Sequence, residues 1–361
     1  MNILYDHQIF SAQRYGGISR YFYEIITRIS QKEDVTLFCG YNYNQYGIEK
    51  AGNYKKIISK SKYTSRCGIG RFYNYLNKRE LHNISGNNSF NIYHPTYYKD
   101  YGLCNGKLIV TVYDMIHELF PQYFGNDNTI EQKKNLLKKA DGIIAISQQT
   151  KNDLIKILDI EESKIKVIYL ANSLFTKEFV DLGITDKYIL YVGTRAGYKN
   201  FSLAAKAFAR SSICNDIKLV CFGGSKFSAS EKKLFKDLHI EKQILHISGS
   251  DAVLATLYKN AELFVYPSLY EGFGLPPLEA MQYGVPVVCS NVSSIPEVVG
   301  NAGTFFDPSS VDDIKEKIEY VLLHTEYRTN LIDLGYKRTR EFSWDKCAEE
   351  TRAFYKEVLE R

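Results

Sequence analysis

The sequence predicts an α/β protein made of two successive halves, each built on a parallel sheet with helices on both faces. Short apolar runs that read as strands alternate with helical periodicities along the chain, the pattern of a parallel sheet joined by crossover helices. The alternation then restarts, with Tyr188-Ile-Leu-Tyr-Val-Gly193 opening a second series. At 361 residues the chain is long enough for two domains, each with its own core.

In the first half, Asn2 to Asp6 reads as a strand. A loop with Gly16-Gly17 follows, then an amphipathic helix with Ile18, Phe22, Ile25, Ile26 and Ile29 on one side. Val35 to Cys39 reads as a second strand. The stretch from about 41 to 90 reads as irregular and basic, with some helical content near Arg71 to Leu81. Strands are expected at Asn91 to His94, Leu108 to Tyr113, Gly142 to Ser147 and Lys166 to Tyr169. Helices are expected at Thr129 to Lys139 and Gln149 to Leu158.

In the second half, a loop from Thr194 to Lys199 and a helix from Phe201 to Ala209 follow the first strand. Further strands are expected at Ile217–Phe222, Ile244–Ile247, Leu263–Tyr266, Val285–Cys289 and Thr304–Phe306. Helices at Val311–His324 and Glu326–Glu341 close this half. A last helix from Ser343 to Glu360 has a capping serine and apolar positions Trp344, Cys347, Ala348 and Phe354. The domains expected are 1–178, 179–342 and a terminal helix at 343–361.

Composition narrows the function classes. Hydrophobic content of 45% and charged content of 24% are those of a soluble globular protein. Seven scattered cysteines without a C-x-x-C argue for free thiols in a reducing compartment and against a zinc site. No apolar run approaches the about eighteen residues of a membrane span, and the start lacks a secretory signal, so a cytoplasmic protein is expected. The net charge is only +5, but Lys55 to Arg79 holds eight basic residues, interleaved aromatics and no acid. Such a segment suits an anionic membrane surface or a phosphorylated substrate; no recognised nucleic-acid motif accompanies it.

The most informative stretch is Tyr266-Pro-Ser-Leu-Tyr-Glu-Gly-Phe-Gly-Leu-Pro-Pro-Leu-Glu279. A strand ends in a loop carrying Glu271, Gly272, Phe273 and Gly274, and Pro276-Pro277 open a helix that carries Glu279. A glycine loop at a helix N-terminus offers N–H groups to an anion such as a diphosphate. The two carboxylates, eight residues apart, can reach different parts of one ligand. Ligands of open parallel sheets bind at the C-terminal ends of strands. Gly16-Gly17, Asp114, His117, Arg195, Lys199 and Glu271 all follow predicted strands. Cations with helix ends suit a diphosphate, and carboxylates suit sugar or ribose hydroxyls, so a nucleotide sugar fits the whole set. No Asp-x-Asp occurs to hold a bridging metal, so no metal or other cofactor is expected. A nicotinamide dehydrogenase would need a G-x-G-x-x-G that neither Gly16-Gly17 nor Gly223-Gly224 supplies.

Glu271 to Glu279 resembles the E-x7-E motif of the retaining glycosyltransferases of family 4, as do Gly284-Val-Pro-Val-Val288 and Ser294-Ile-Pro-Glu297 after it. Tyr191-Val-Gly-Thr-Arg195 with Tyr198-Lys-Asn-Phe201 resembles that family's phosphate-binding loop, and Gly16-Gly17 its N-terminal glycine loop. The resemblance implies a GT-B fold, two Rossmann-like domains facing across a cleft, with the final helix crossing back to the first. It implies that Glu279 holds the ribose and Glu271 the transferred sugar. It assigns the diphosphate to Arg195 and Lys199, with backbone N–H groups of Gly17, Gly274 and Leu275. Ser248 and Gly249 lie where the family holds the base. One departure is visible: the family's His-Asp pair stands here as Tyr113-Asp114, with His117 three residues on, so either Asp114 or His117 takes the polar role.

The implied activity is retaining hexosyl transfer, with a GDP-mannose-like donor first and a UDP-sugar second. The expected acceptor is a lipid-linked glycan of surface-polysaccharide or lipopolysaccharide assembly, met by residues 55–79 at the cytoplasmic face of a membrane. The alternatives are an inactive nucleotide-sugar-binding partner and a sugar phosphorylase of the same fold.

Overall fold

A computed structural model describes residues 1–62, 69–103, 106–125, 127–174, 176 and 178–361. Tyr63, Arg66, Cys67 and Cys104 lie outside the described residues, as do the side chains of Lys62 and Arg71. The chain divides into two compact units, Met1–Leu170 with Ser343–Arg361, and Ala171–Phe342.

The first unit runs β1 (Asn2–Tyr5), α1 (Gln8–Ala12), α2 (Gly17–Ile29), β2 (Asp34–Asn42), β3 (Lys56–Lys62), α3 (Ile69–Asn87), β4 (Ile92–His94) and β5 (Lys107–Val112). It continues through α4 (Ile116–Leu119), α5 (Thr129–Lys139), β6 (Gly142–Ala145), α6 (Gln148–Leu158) and β7 (Ile165–Val167). The strands form one parallel sheet in the order β3-β2-β1-β4-β5-β6-β7. β1 is buried along Ile3, Leu4 and Tyr5 because both its neighbours are strands and both its faces are covered.

The second unit runs β8 (Tyr188–Val192), α7 (Phe201–Arg210), β9 (Lys218–Phe222), α8 (Ala229–Asp237), β10 (Ile244–Ile247), α9 (Asp251–Asn260) and β11 (Leu263–Tyr266). It continues through α10 (Leu275–Gln282), β12 (Val287–Ser290), α11 (Ile295–Val299), β13 (Gly303–Phe306), α12 (Val311–Leu323) and α13 (Thr325–Thr339). Its parallel sheet has the order β10-β9-β8-β11-β12-β13. Both sheets thus grow outward in one direction, return to the middle and grow outward in the other, the doubly wound arrangement. The order reverses between β1 and β4 in one sheet and between β8 and β11 in the other, and ligands favour the crevice at that reversal. The core of the second unit gathers Ile189, Tyr191, Phe201, Leu219, Val265 and Val288 from strands and helices alike.

The last helix, α14 (Trp344–Glu360), belongs to the first unit. Ser343 caps it, its side chain accepting from the Lys346 N–H at 3.1 Å. Gly142 in β6 lets it approach closely: a Cβ there would lie 2.8 Å from Val358 and 2.9 Å from Phe354. The helix also plants one polar group in the sheet. The Tyr355 hydroxyl is 2.8 Å from that of Tyr5 and 2.6 Å from His94 Nδ1, while His94 Nε2 is 2.9 Å from Thr111 Oγ1. Because every member has a partner, this buried network fixes where the helix sits.

The structure corrects the reading of residues 41–90. That stretch holds the edge strand β3 and a nineteen-residue helix, α3. β3 has the sequence Lys-Ile-Ile-Ser-Lys-Ser-Lys, with a polar profile that suits an edge and hides the strand from a search for apolar runs. α8 and α9 also went unread. For α8 the available signal was the capping box that Ser228 and Glu231 form.

Candidate active site

Two loops meet at the reversal of the second sheet. The first follows β8. Gly193, at a φ of 132°, turns the chain out of the strand, and the loop ends at Lys199. Asn200 stands in the left-handed region (φ 56°), and its side-chain amide donates to the Pro267 carbonyl at 3.1 Å and the Pro308 carbonyl at 2.8 Å. The Leu269 N–H donates to the Tyr198 carbonyl at 2.8 Å. These bonds tie the loop that carries Lys199 to the loop that follows β11.

The second loop carries Glu271 and is clamped from the β12–α11 corner. Ser294 donates to the carbonyls of Glu271 (2.8 Å) and Phe273 (3.0 Å), and Ser293 accepts from the Glu271 N–H (3.0 Å). Glu271 is 8% exposed. Its Oε1 lies 2.6 Å from Lys199 Nζ, and the Tyr266 hydroxyl hydrogen-bonds to the same carboxylate. Burial, reinforced by the charge of Glu271, pushes the Tyr266 phenol well above its ordinary value, so it remains a neutral donor. Lys199 Nζ also lies 5.2 Å from the Tyr198 ring centre and 5.8 Å from that of Tyr266. A cation and a carboxylate are therefore held together where the sheet order reverses.

α10 begins beyond this loop. Gly274, its N-cap, has a φ of 99°, which a side chain would strain. Leu275 is the first helical residue, and Pro276 and Pro277 follow without N–H groups, so Leu275 alone offers a donor among the first three positions. Glu279 lies one turn further on. The Tyr258 hydroxyl donates to its Oε2 at 3.0 Å, and the Tyr258 ring stacks on Tyr283 (6.0 Å between centroids, 5° between planes). Ser248 and Gly249 are exposed just beyond the C-terminal end of β10.

Arg195 is placed differently. Its Nε donates to Glu231 at 2.6 Å, its Nη1 to the Gly223 carbonyl at 3.0 Å and its Nη2 to the Ser225 carbonyl. The guanidinium lies 4.8 Å from the Phe227 ring centre, and the side chain is only 5% exposed. Burial acts to raise the Glu231 carboxyl, but the Ser228 N–H and Arg195 outweigh it and hold the group below its usual range. The structure thus joins Lys199 with Glu271, while Arg195 is bonded to Glu231 and to carbonyls of the β9–α8 loop.

In the first unit, Gly16 caps α2 and its N–H donates to the Tyr46 hydroxyl at 3.3 Å, while a Cβ added at Gly17 would meet nothing within 4 Å. Asp114, beyond the end of β5, accepts from the Ile116 N–H at 3.1 Å. His117 faces Asp127, with Nε2 3.4 Å from Oδ2, and stacks on Phe124 at 4.1 Å. Tyr113 is a buried core residue among Tyr21, Phe22 and Tyr98, and its hydroxyl has no hydrogen-bond partner among the described residues.

Sequence reasoning missed several supporting groups. Ser294 stood in the quoted Ser294-Ile-Pro-Glu297 segment without a role of its own, and Ser293 was foreshadowed only by its place before that helix start. Nothing local marked Tyr258, and Tyr266 and Asn200 lay inside the quoted motifs without a role of their own. Lys133 read as one more charge on a charged helix, yet it is fully buried with its ammonium 2.9 Å from Glu118 Oε2. Among the described residues no three His, Cys, Asp or Glu side chains gather to hold a metal ion.

Residues 15–171 match the family model described as Glycosyltransferase Family 4, and residues 175–338 match that described as Glycosyl transferases group 1. Sucrose-phosphate synthase from Thermosynechococcus elongatus has a similar structure, with a TM-score of 0.78 at 19% identity over 99% of each chain. HepE from Anabaena, solved in complex with UDP, gives 0.75 at 15% identity over 99% of each chain. These likenesses define the fold as GT-B, that of two-domain glycosyltransferases. The O-antigen chain mannosyltransferase B of Escherichia coli is 28% identical over 371 aligned positions, covering 94% of this chain and 96% of its own. With the two family models side by side along its length, the chain is a family 4-like glycosyltransferase.

Proposed function

We propose that this glycosyltransferase transfers a hexose with retention, mannose from a GDP-linked donor in the first instance, onto a glycan acceptor in surface-polysaccharide synthesis. The observation that carries the reading is the Lys199–Glu271 pair at the sheet reversal, with Glu279 one loop and one helical turn away. The E. coli mannosyltransferase, matched over nearly its whole length, favours mannose; HepE, solved with UDP, keeps a UDP-sugar as the second reading.

In this reading Lys199 swings from Glu271 toward the diphosphate and stabilises the charge that grows as the glycosidic bond breaks. Glu271, released, accepts hydrogen bonds from hydroxyls of the transferred sugar. Glu279, oriented by Tyr258, holds the ribose, and the Gly274 and Leu275 N–H groups add to the diphosphate site. Ser248 and Gly249 are assigned to the base, and Gly16 and Gly17 to close approach of the donor. The chemistry is a front-face displacement. The acceptor oxygen bonds to C1, the C1–O bond to phosphate breaks, and the hydroxyl proton passes to the departing phosphate oxygen. No metal is assigned a part. Asp114 takes the polar role beside the sugar, because His117 is engaged with Asp127 and Phe124. Arg195 acts at one remove, by holding the loop after β9. The acceptor is assigned to the first unit and taken to be lipid-linked, met at a membrane surface by the basic-aromatic face of α3.

Thermal shift with GDP-, UDP-, dTDP- and ADP-sugars, followed by hydrolysis of the best binder, tests the reading. Lys199→Ala should lower turnover about a hundredfold or more, and Glu279→Ala should weaken nucleotide binding. Wild-type turnover in the first variant, or no binding of any nucleotide sugar, sinks the proposal.

A further inference from the structure

One exposed cluster of the first unit has no part in the machinery above. Tyr15, in the loop between α1 and α2, is 57% exposed, yet it is fixed from three sides. Its hydroxyl donates to Gln45 Oε1 at 2.9 Å, its ring meets Tyr46 edge-on at 5.3 Å, and Arg14 lies 5.8 Å from its ring centre. Arg14 donates to the same Gln45 oxygen at 3.0 Å, and Arg20 stacks over Tyr46 at 4.5 Å. Further bonds lace the segments together: the Gln45 N–H to the Arg14 carbonyl (3.1 Å), and Asn44 to the Gln13 carbonyl (2.8 Å).

A surface tyrosine with no ligand gains little from being held so, because solvent would let its ring turn freely. Rigid exposed rings are the pre-organised anchors of binding sites. The location agrees. Tyr15 follows β1 and Gln45 follows β2, so the cluster stands at the C-terminal edge of the sheet, beside Gly16-Gly17. The fringe decides the class of ligand. The ring face is apolar, and around it stand Arg14, Arg20, Gln45 and a tyrosine hydroxyl, with no carboxylate among these five residues. A pyranose has that complement, a C–H face with a rim of hydroxyls. A purely apolar partner would cover this polar rim without offering it any hydrogen bond.

We infer that the Tyr15 ring, with Arg14 and Gln45 at its edge, is a stacking platform for one sugar ring of the acceptor glycan. The inference rests on the proposed transferase reading and adds to it the site where the acceptor is recognised. The side chains of Tyr15, Arg14 and Gln45 are given no part in the donor site proposed above, to which the neighbouring Gly16 and Gly17 lend only backbone, so donor hydrolysis and saccharide KM can be measured apart.

The test uses the full chain, with donor hydrolysis in water and transfer to methyl glycosides and disaccharides of mannose, galactose, glucose and N-acetylglucosamine. Tyr15→Ala should raise the KM for the saccharide about tenfold, the loss of one stacked ring, and leave donor hydrolysis unchanged. Tyr15→Phe, which keeps the ring, should retain most of the wild-type KM. An unchanged KM in Tyr15→Ala overturns the platform. So does a parallel fall in hydrolysis, which would mark a general role in the fold, and so does a wild type that hydrolyses donor but uses none of these saccharides. A wild type that hydrolyses no donor fails the transferase reading instead.

Discussion

Lys133 is fully buried, and its ammonium meets Glu118 Oε2 at 2.9 Å, the Asp114 carbonyl at 2.9 Å and the face of Tyr98 at 5.2 Å. One side chain from α5 thereby secures the turn that carries Asp114. A buried pair adds little net stability over an apolar pair, but removing one partner strands the other charge away from water. Lys133→Met is therefore expected to destabilise the protein by about 3 kcal/mol, read from urea denaturation, with much of the loss recovered by adding Glu118→Leu. Equal stability of Lys133→Met and wild type would show that the pair is not formed. The same residue marks what a sequence conceals. Motif residues such as Glu271, Glu279 and Lys199 are legible because spacing along the chain sets their chemistry. Lys133, Tyr258 and the bonds of Arg195 to Glu231 and the β9–α8 loop depend on what the fold brings from elsewhere, and a lysine on a charged helix gives no sign of being inside.

Elements were legible in proportion to their burial. β11, flanked on both sides by strands, reads as Leu-Phe-Val-Tyr and was found at its true limits, whereas the lysine-rich edge strand β3 was not. The helix after β3 was seen only in part because its exposed face breaks the periodicity. On α3, Phe72, Tyr75, Arg79 and His82 are exposed at helical spacing, with Lys78 beside them. Large apolar rings next to cations on one helix face suit an anionic lipid surface, where each cation contributes about 1 kcal/mol. Two lysines of the adjoining segment are already paired, Lys55 with Asp34 at 2.6 Å and Lys60 with Glu80 at 3.7 Å, so the helix is expected to dominate. Vesicles of phosphatidylglycerol in phosphatidylcholine should bind the protein, less so as salt rises. The combined change Phe72→Ser, Tyr75→Ser, Lys78→Glu and Arg79→Glu should abolish that binding. Co-sedimentation of the variant equal to wild type would remove α3 from any membrane role.

At the scale of the molecule, the two units repeat one sheet order but differ in what they bury. The first unit carries two histidines inside: His7, whose pKa burial pulls down to about 4, and His94, pulled down to about 3. Each is neutral in the folded unit and takes up a proton near pH 6.5 once unfolded. Between those values the unfolded chain binds more protons, so their contribution to stability is complete above pH 6.5 and is lost as the pH falls. With both titrating, the loss approaches about 2.7 kcal/mol per pH unit below pH 5.5, at about 1.4 for each group. His94 cannot be protonated without disturbing the bonds that hold α14 to the sheet through Tyr355. A chain of two units need not unfold in one step, so acid should open the first before the second. Hydrogen exchange at pH 7 and pH 5 would read this residue by residue. Protection lost first in β1, β4 and α14, with β8 and β11 retained, is the expected result. Uniform loss across both sheets, or none at pH 5, would show that the buried histidines do not govern acid stability.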